Sequence, residues 1–105
     1  MKSITVQELH SMRESGADFQ LVDVREPYEN EICTLDGILI PMSEVPDNVS
    51  QIEKDKQVVI HCRSGKRSAT IIQYLEENHG YTNLFNLEGG ILAWAAEVDS
   101  TMESY

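Results

Sequence analysis

The sequence predicts an α/β domain with a mainly parallel sheet covered on both faces. Two observations lead there. Short apolar runs of strand length recur along the chain, at Phe19 to Val24, Gln57 to His61 and Leu84 to Leu87. Each is followed by helix-start signals or by apolar residues at helical spacing, and strands that alternate with helices form parallel sheets whose crossovers bury both faces. Such sheets bind ligands beyond the C-terminal ends of their strands. The residues just after each strand are therefore the ones to inspect for chemistry.

Taken in order, Thr5-Val6-Gln7-Glu8 is a capping-box pattern, so a short strand is expected before it and a helix from there towards Arg13. Ser15-Gly16 ends that helix. Phe19 to Val24 reads as a buried strand, and Pro27 opens a short helical segment to about Glu31. Gly37 to Pro41 reads as a strand stopped by proline, followed by a weak helix over Ser43 to Ile52 that Pro46 interrupts. Gln57-Val58-Val59-Ile60-His61 is the strongest strand, unbroken and rich in β-branched residues. Ser68 to Asn78 carries Ile71, Ile72 and Leu75 at helical spacing and stops at Gly80. Leu84 to Leu87 is the last strand, and Gly89-Gly90 turns the chain into a helix bearing Leu92, Trp94 and Ala95.

The 105 residues, 41% hydrophobic and 25% charged, suit one domain whose core needs no metal or disulfide. With no repeat or linker, the domain is expected over residues 1–99, and Ser100 to Tyr105 reads as a short polar tail. Eight Lys and Arg against eighteen Asp and Glu give a net charge of −10. That balance excludes nucleic acid and anionic membrane as expected partners, because both are bound by cations that displace counterions. A small anion remains compatible if the few cations cluster. No apolar run has signal-peptide or membrane-span length, so a cytoplasmic location is expected, where thiols stay reduced. Cys33 and Cys62 fit neither a CxxC nor a zinc spacing, and His10, His61 and His79 are scattered, so no metal is expected.

The chemistry concentrates in His61-Cys62-Arg63-Ser64-Gly65-Lys66-Arg67-Ser68, between the strongest strand and a helix start. Loop N–H groups and the helix N-terminus are expected to converge on the Cys62 sulfur and to favour negative charge there. Arg63, Lys66 and Arg67 add full positive charges, and Gly65 permits a tight cradle. Both effects stabilise the thiolate, which is the nucleophile. An ordinary buried cysteine beside a solvated turn does not account for three cations in one turn of a strongly acidic chain.

Three blocks of the chain resemble the signatures of single-domain rhodaneses. They are Leu21-Val22-Asp23-Val24-Arg25-Glu26-Pro27, Val59 to Ser68, and Asn86-Leu87-Glu88-Gly89-Gly90-Ile91-Leu92-Ala93-Trp94, in family order. The resemblance runs from Ile4 to Asp99. It implies a rhodanese-like three-layer α/β/α fold with about five strands, and a catalytic Cys62 in the loop that closes at Arg67. Many members carry Gly-His before the third strand where this chain has Cys33-Thr34. On this basis the expected activity is thiosulfate sulfurtransfer through a Cys62 persulfide. Arg63, Ser64, Gly65, Lys66 and Arg67 would bind the donor, and cyanide, a thiol or a protein would accept the sulfur. The protein is expected to be a monomer and to need no cofactor.

Supporting roles are expected for four residues. Asp23 reads as a turn cap or as the partner of a loop arginine. Arg25 and Glu88 would pair as a buttress, and Ser68 would cap the helix that follows it. Ser64 could donate a hydrogen bond to the sulfur. His61 precedes the nucleophile, but neighbours on a strand point to opposite faces, so it reads as a satisfied core histidine. Trp94 and Cys33 read as core residues. Two other functions compete. A Cys-dependent phosphatase or arsenate reductase uses a Cys-x5-Arg loop, which would put the Arg at position 68, where this chain has Ser68 and closes instead as Cys-x4-Arg. A non-enzymatic persulfide relay or protein-interaction module would share the fold without turnover.

Overall fold

Thr5 accepts a hydrogen bond from the Glu8 N–H at 3.1 Å, and Glu8 accepts one from the Thr5 N–H at 3.0 Å. This reciprocal cap starts α1 (Val6–Glu14) directly after β1 (Ser3–Ile4). The computed structural model, which describes residues 1–105, continues with β2 (Phe19–Asp23), α2 (Pro27–Ile32) and β3 (Ile38–Leu39). Two 3-10 turns, Met42–Asp47 and Val49–Gln51, stand where a weak helix is expected, with Pro46 inside the first. Then follow β4 (Gln57–His61), α3 (Lys66–His79), β5 (Leu84–Leu87) and α4 (Gly90–Glu97).

All five strands pair in parallel, in the order β1-β5-β4-β2-β3. The sheet is thus wholly parallel, and β4 lies at its centre. Alternation along β4 divides the core. Val58, Ile60 and Cys62 pack with Ile71, Ile72 and Leu75 of α3, while Val59 packs with Leu9 of α1 and with Ile91 and Trp94 of α4. Each fully buried Leu or Ile contributes roughly 1.5–3 kcal/mol, so both layers are needed to hold the sheet. No helix is long and apolar enough to cross a membrane.

The turn at Cys33-Thr34, where the chain departs from the common pattern, is closed by side chains. Thr34 Oγ1 accepts from the Asp36 N–H at 3.0 Å and from Asn30 Nδ2 at 3.1 Å. Asp36 takes φ = 65°, a left-handed conformation that Asp tolerates better than most residues. Residues 100–105 fold back onto the domain. Met102 and Tyr105 pack against the α1/α4 side of the core.

Candidate active site

Cys62 follows the last residue of β4, between the C-terminal ends of β2 and β5, where the strand order reverses. The residue is 1% exposed. Sγ accepts a hydrogen bond from the Gly65 N–H at 3.1 Å and from the Ser68 N–H at 3.4 Å, and lies 3.4 Å from Ser68 Oγ. Burial pushes the thiol pKa up. The Ser68 hydroxyl and the N–H groups of Ser68, Gly65 and Ser64 outweigh that and hold it below the ordinary cysteine range. The cradle is therefore built for an anion on sulfur. Gly65 makes the turn at φ = 103° that brings these N–H groups together.

Two contacts that were not foreseen shape the loop. Asn86 on β5 donates from Nδ2 to the Gly65 carbonyl at 3.1 Å, and its Oδ1 lies 2.6 Å from Ser68 Oγ, whose single proton is shared between Asn86 and the sulfur, tying the loop to the first turn of α3. A polar residue inside an otherwise apolar strand was the available signal. From behind, the first turn of α4 holds the loop's carbonyls. The Ile91 N–H donates to Cys62 at 3.0 Å and the Leu92 N–H to Arg63 at 3.2 Å. With the Arg63 carbonyl turned back, its peptide group presents the Ser64 N–H to the sulfur. Gly90 permits this approach, for a Cβ there would stand 2.7 Å from the Cys62 carbonyl oxygen. The turn falls on Glu88 and Gly89, and Gly90 opens α4 packed against the loop backbone.

The three loop cations meet different fates. Arg67 makes a bidentate pair with Glu29, Nη1 to Oε1 at 2.7 Å and Nη2 to Oε2 at 2.9 Å. The guanidinium of Arg63 lies over the Tyr105 ring, 4.8 Å from its centroid. Lys66 is exposed and makes no side-chain hydrogen bond or ion pair. Arg67 on Glu29 holds that carboxyl down at about 2, helped by hydrogen bonds from Tyr105 and the Glu26 backbone against the cost of burial. Glu29 and Tyr105 had no signal in the sequence, since their pairing spans 76 positions.

Several expectations need correction. Arg25 does not pair with Glu88. Its guanidinium binds Asp23 (Nη2 to Oδ2, 2.7 Å), the Cys33 carbonyl (2.8 Å) and the Tyr105 hydroxyl (3.0 Å). Glu88 is exposed and accepts from Ser3 Oγ at 2.8 Å. The two residues follow the ends of β2 and β5, which β4 separates, a spacing of about 10 Å at 4.7–4.9 Å per strand. Ser68 is no cap, because α3 starts at Lys66 with Gly65 as N-cap and Ser68 is buried in its first turn. Ser64 is exposed and contributes its backbone N–H, with no side-chain bond to the sulfur.

Asp23 does act as a turn cap, accepting from the Arg25 N–H at 3.0 Å, and its arginine partner is Arg25 rather than one from the loop. His61 lies on the sheet face opposite Cys62, so no Cys–His dyad forms. It is only half satisfied. Nδ1 is 3.4 Å from the Cys62 carbonyl, and Nε2 has no hydrogen-bond partner, with Asp23 Oδ2 4.0 Å away. Burial, aided by Arg25 and Arg13 and opposed by Asp23, takes its pKa down to about 4. Cys33 is half-buried in the α1/α4 layer, with Sγ 3.9 Å from Arg25 Nη1.

A parallel sheet with a thiol at the end of its central strand, cradled by a helix-opening loop, defines a class of proteins. Residues 5–97 match the family model for the rhodanese-like domain, and the chain belongs to that family. The crystal structure of a rhodanese-like domain protein from Staphylococcus aureus superposes with a TM-score of 0.82 at 37% identity, covering 100% of this chain and 99% of that one. The putative sulfurtransferase YtwF of Bacillus subtilis is 36% identical over 98 residues, 92% of this chain and 93% of its own length. The rhodanese-like/PpiC domain-containing protein 12 of Arabidopsis thaliana, chloroplastic, is 34% identical across 100% of this chain, which spans only 38% of that protein.

Proposed function

We propose that this chain is a sulfurtransferase that carries sulfur as a persulfide on Cys62, with thiosulfate or a related sulfane compound as donor. The observation that carries the reading is the buried Cys62 Sγ, which accepts the Gly65 and Ser68 N–H groups at the mouth of the central strand. The Cys62 thiolate attacks the outer sulfur of thiosulfate. The sulfur–sulfur bond breaks, sulfite leaves with the electron pair, and Cys62 becomes a persulfide anion. A nucleophilic acceptor, such as cyanide, a small thiol or a protein thiol, then attacks the terminal sulfur and returns the thiolate. The N–H donors stabilise negative charge on sulfur at both stages.

Lys66 is the side chain free to meet the sulfonate end of the donor, and Arg63, 4.8 Å above the Tyr105 ring centroid, keeps its N–H donors unpaired. Arg67, tied to Glu29, contributes field rather than direct contact. The Cys-x4-Arg spacing of the loop suits a single sulfur better than a tetrahedral oxyanion, which supports sulfur transfer over phosphoryl or arsenyl chemistry.

Intact-mass analysis after thiosulfate treatment tests the reading. Wild type should gain one sulfur that cyanide removes, Cys62→Ser should gain none, and Cys33→Ser should behave as wild type. Loading that small acceptors do not remove would favour a relay that hands sulfur to a protein partner over a turnover enzyme. No gain of mass in folded wild type from any sulfane donor would sink the proposal.

A further inference from the structure

Tyr105 reaches the active-site loop from residues 100–105, a segment whose sequence reads only as a short polar tail. Tyr105 inserts its hydroxyl between two charged groups. It accepts from Arg25 Nη1 at 3.0 Å and donates to Glu29 Oε2 at 2.7 Å. The same Glu29 holds Arg67 through both carboxylate oxygens. The Tyr105 ring meanwhile lies under the Arg63 guanidinium at 4.8 Å and 5.9 Å from that of Arg25. Burial and the Glu29 carboxylate, opposed by Arg25, push the phenol pKa up to about 12, so the hydroxyl keeps its proton and can serve both partners.

We propose that Tyr105 is a positioning residue for anion binding at the Cys62 loop, acting through Arg63. The proposal rests on the sulfur-transfer reading only for the identity of the natural anion. Arg63 has no side-chain hydrogen bond of its own, and the Tyr105 ring is the surface that orients it. A guanidinium stacked on an aromatic face is held in one plane with its N–H edge free, and that edge matches two oxygens of a sulfonate or sulfate. Without the ring, Arg63 must order itself each time an anion arrives, and affinity falls by the lost preorganisation. Arg67 depends on Tyr105 less, because its own bidentate pair with Glu29 survives loss of the hydroxyl. The ring and the hydroxyl therefore have separable duties: the ring orients Arg63, and the hydroxyl anchors the ring between Arg25 and Glu29.

The test uses sulfate protection of Cys62 against a small alkylating agent in the full chain, which needs no sulfur transfer. A Cys33→Ser background makes the signal report Cys62 alone. Sulfate should protect the parent protein in a saturable way. Tyr105→Ala should weaken protection about 3–10-fold, whereas Tyr105→Phe and Tyr105→Trp, which keep an aromatic face, should stay within about 2-fold. In thiosulfate turnover the same Ala variant should raise KM with kcat little changed. Thermal unfolding separates the effect from general destabilisation, since Tyr105→Phe loses both hydroxyl bonds and should lower Tm while keeping anion affinity. Equal sulfate affinity in parent and Tyr105→Ala overturns the proposal. So does equal weakening in the Ala and Phe variants, which would assign the effect to the hydroxyl network instead. Normal protection with no sulfur loading would defeat the transfer reading and leave the role of Tyr105 standing.

Discussion

Replacing Gly90 with Ala should damage the Cys62 site far more than its distance from the nucleophile in sequence suggests. Gly90 takes φ = 60°, and a left-handed conformation costs a residue with a Cβ about 1–2 kcal/mol. The added Cβ also meets backbone on the loop side, at 2.6 Å from the Arg63 carbonyl carbon and 2.7 Å from the Cys62 oxygen, where ordinary contact begins at 3.4 Å. The nearest atom is the Arg63 carbonyl oxygen, closer still than these two, so the loop and α4 must separate by about 1 Å. Such a shift stretches the Ile91-to-Cys62 and Leu92-to-Arg63 hydrogen bonds, now 3.0 and 3.2 Å, which are worth about 0.5–1.5 kcal/mol each. Gly90→Ala should thus lose about 2–5 kcal/mol of stability. It should also slow sulfur loading about 100-fold, the scale of an ångström-sized misplacement.

Gly16→Ala is the matched control. Gly16 has φ = 70° with nothing within 4 Å of a built Cβ, so it carries the conformational strain and no clash. Urea unfolding reads the stability of both variants, and the rate of mass gain with thiosulfate reads the site at a temperature where both are folded. Loading by Gly90→Ala within two-fold of Gly16→Ala would refute the claim that α4 sets the loop's geometry.

Two further outcomes follow from the charges. Lys66→Ala should raise KM for thiosulfate roughly 5–10-fold with unchanged stability, since it removes a contact from an unpaired surface cation. Arg67→Ala should instead lower the urea midpoint, because it strands the buried Glu29 carboxylate, and a reversed pattern in steady-state kinetics and urea titration would show the roles misassigned. His61 is held neutral with its pKa at about 4 against an ordinary 6.5. The unfolded chain takes up that proton first, so this contribution is whole above pH 6.5 and is lost as pH falls towards 4, by about 3 kcal/mol. Urea midpoints measured from pH 7.5 to 4 should fall steeply for wild type and less for His61→Gln, and parallel slopes would remove His61 as the cause.

Much of this molecule is legible in local sequence because its signals are local. The Thr5–Glu8 cap, the β-branched run of β4 and the glycine after His79 each act within a few residues, and each element stands where they place it. The crowding of Arg63, Lys66 and Arg67 after a buried strand likewise pointed to Cys62 without any knowledge of the fold.

What tertiary structure decided is which charge meets which. Strand order put β4 between β2 and β5, so Arg25 turned to Asp23 and never reached Glu88. The start of α3 at Lys66 made Ser68 a buried bridge to Asn86 instead of a cap. The return of residues 100–105 across the α1/α4 layer placed a tyrosine against Arg25, Glu29 and Arg63. Capping and periodicity are energies between near neighbours and can be read along the chain. Ion pairs and stacked rings form between residues that only the packed layers bring within a few ångströms, and a one-dimensional pattern carries no record of that distance.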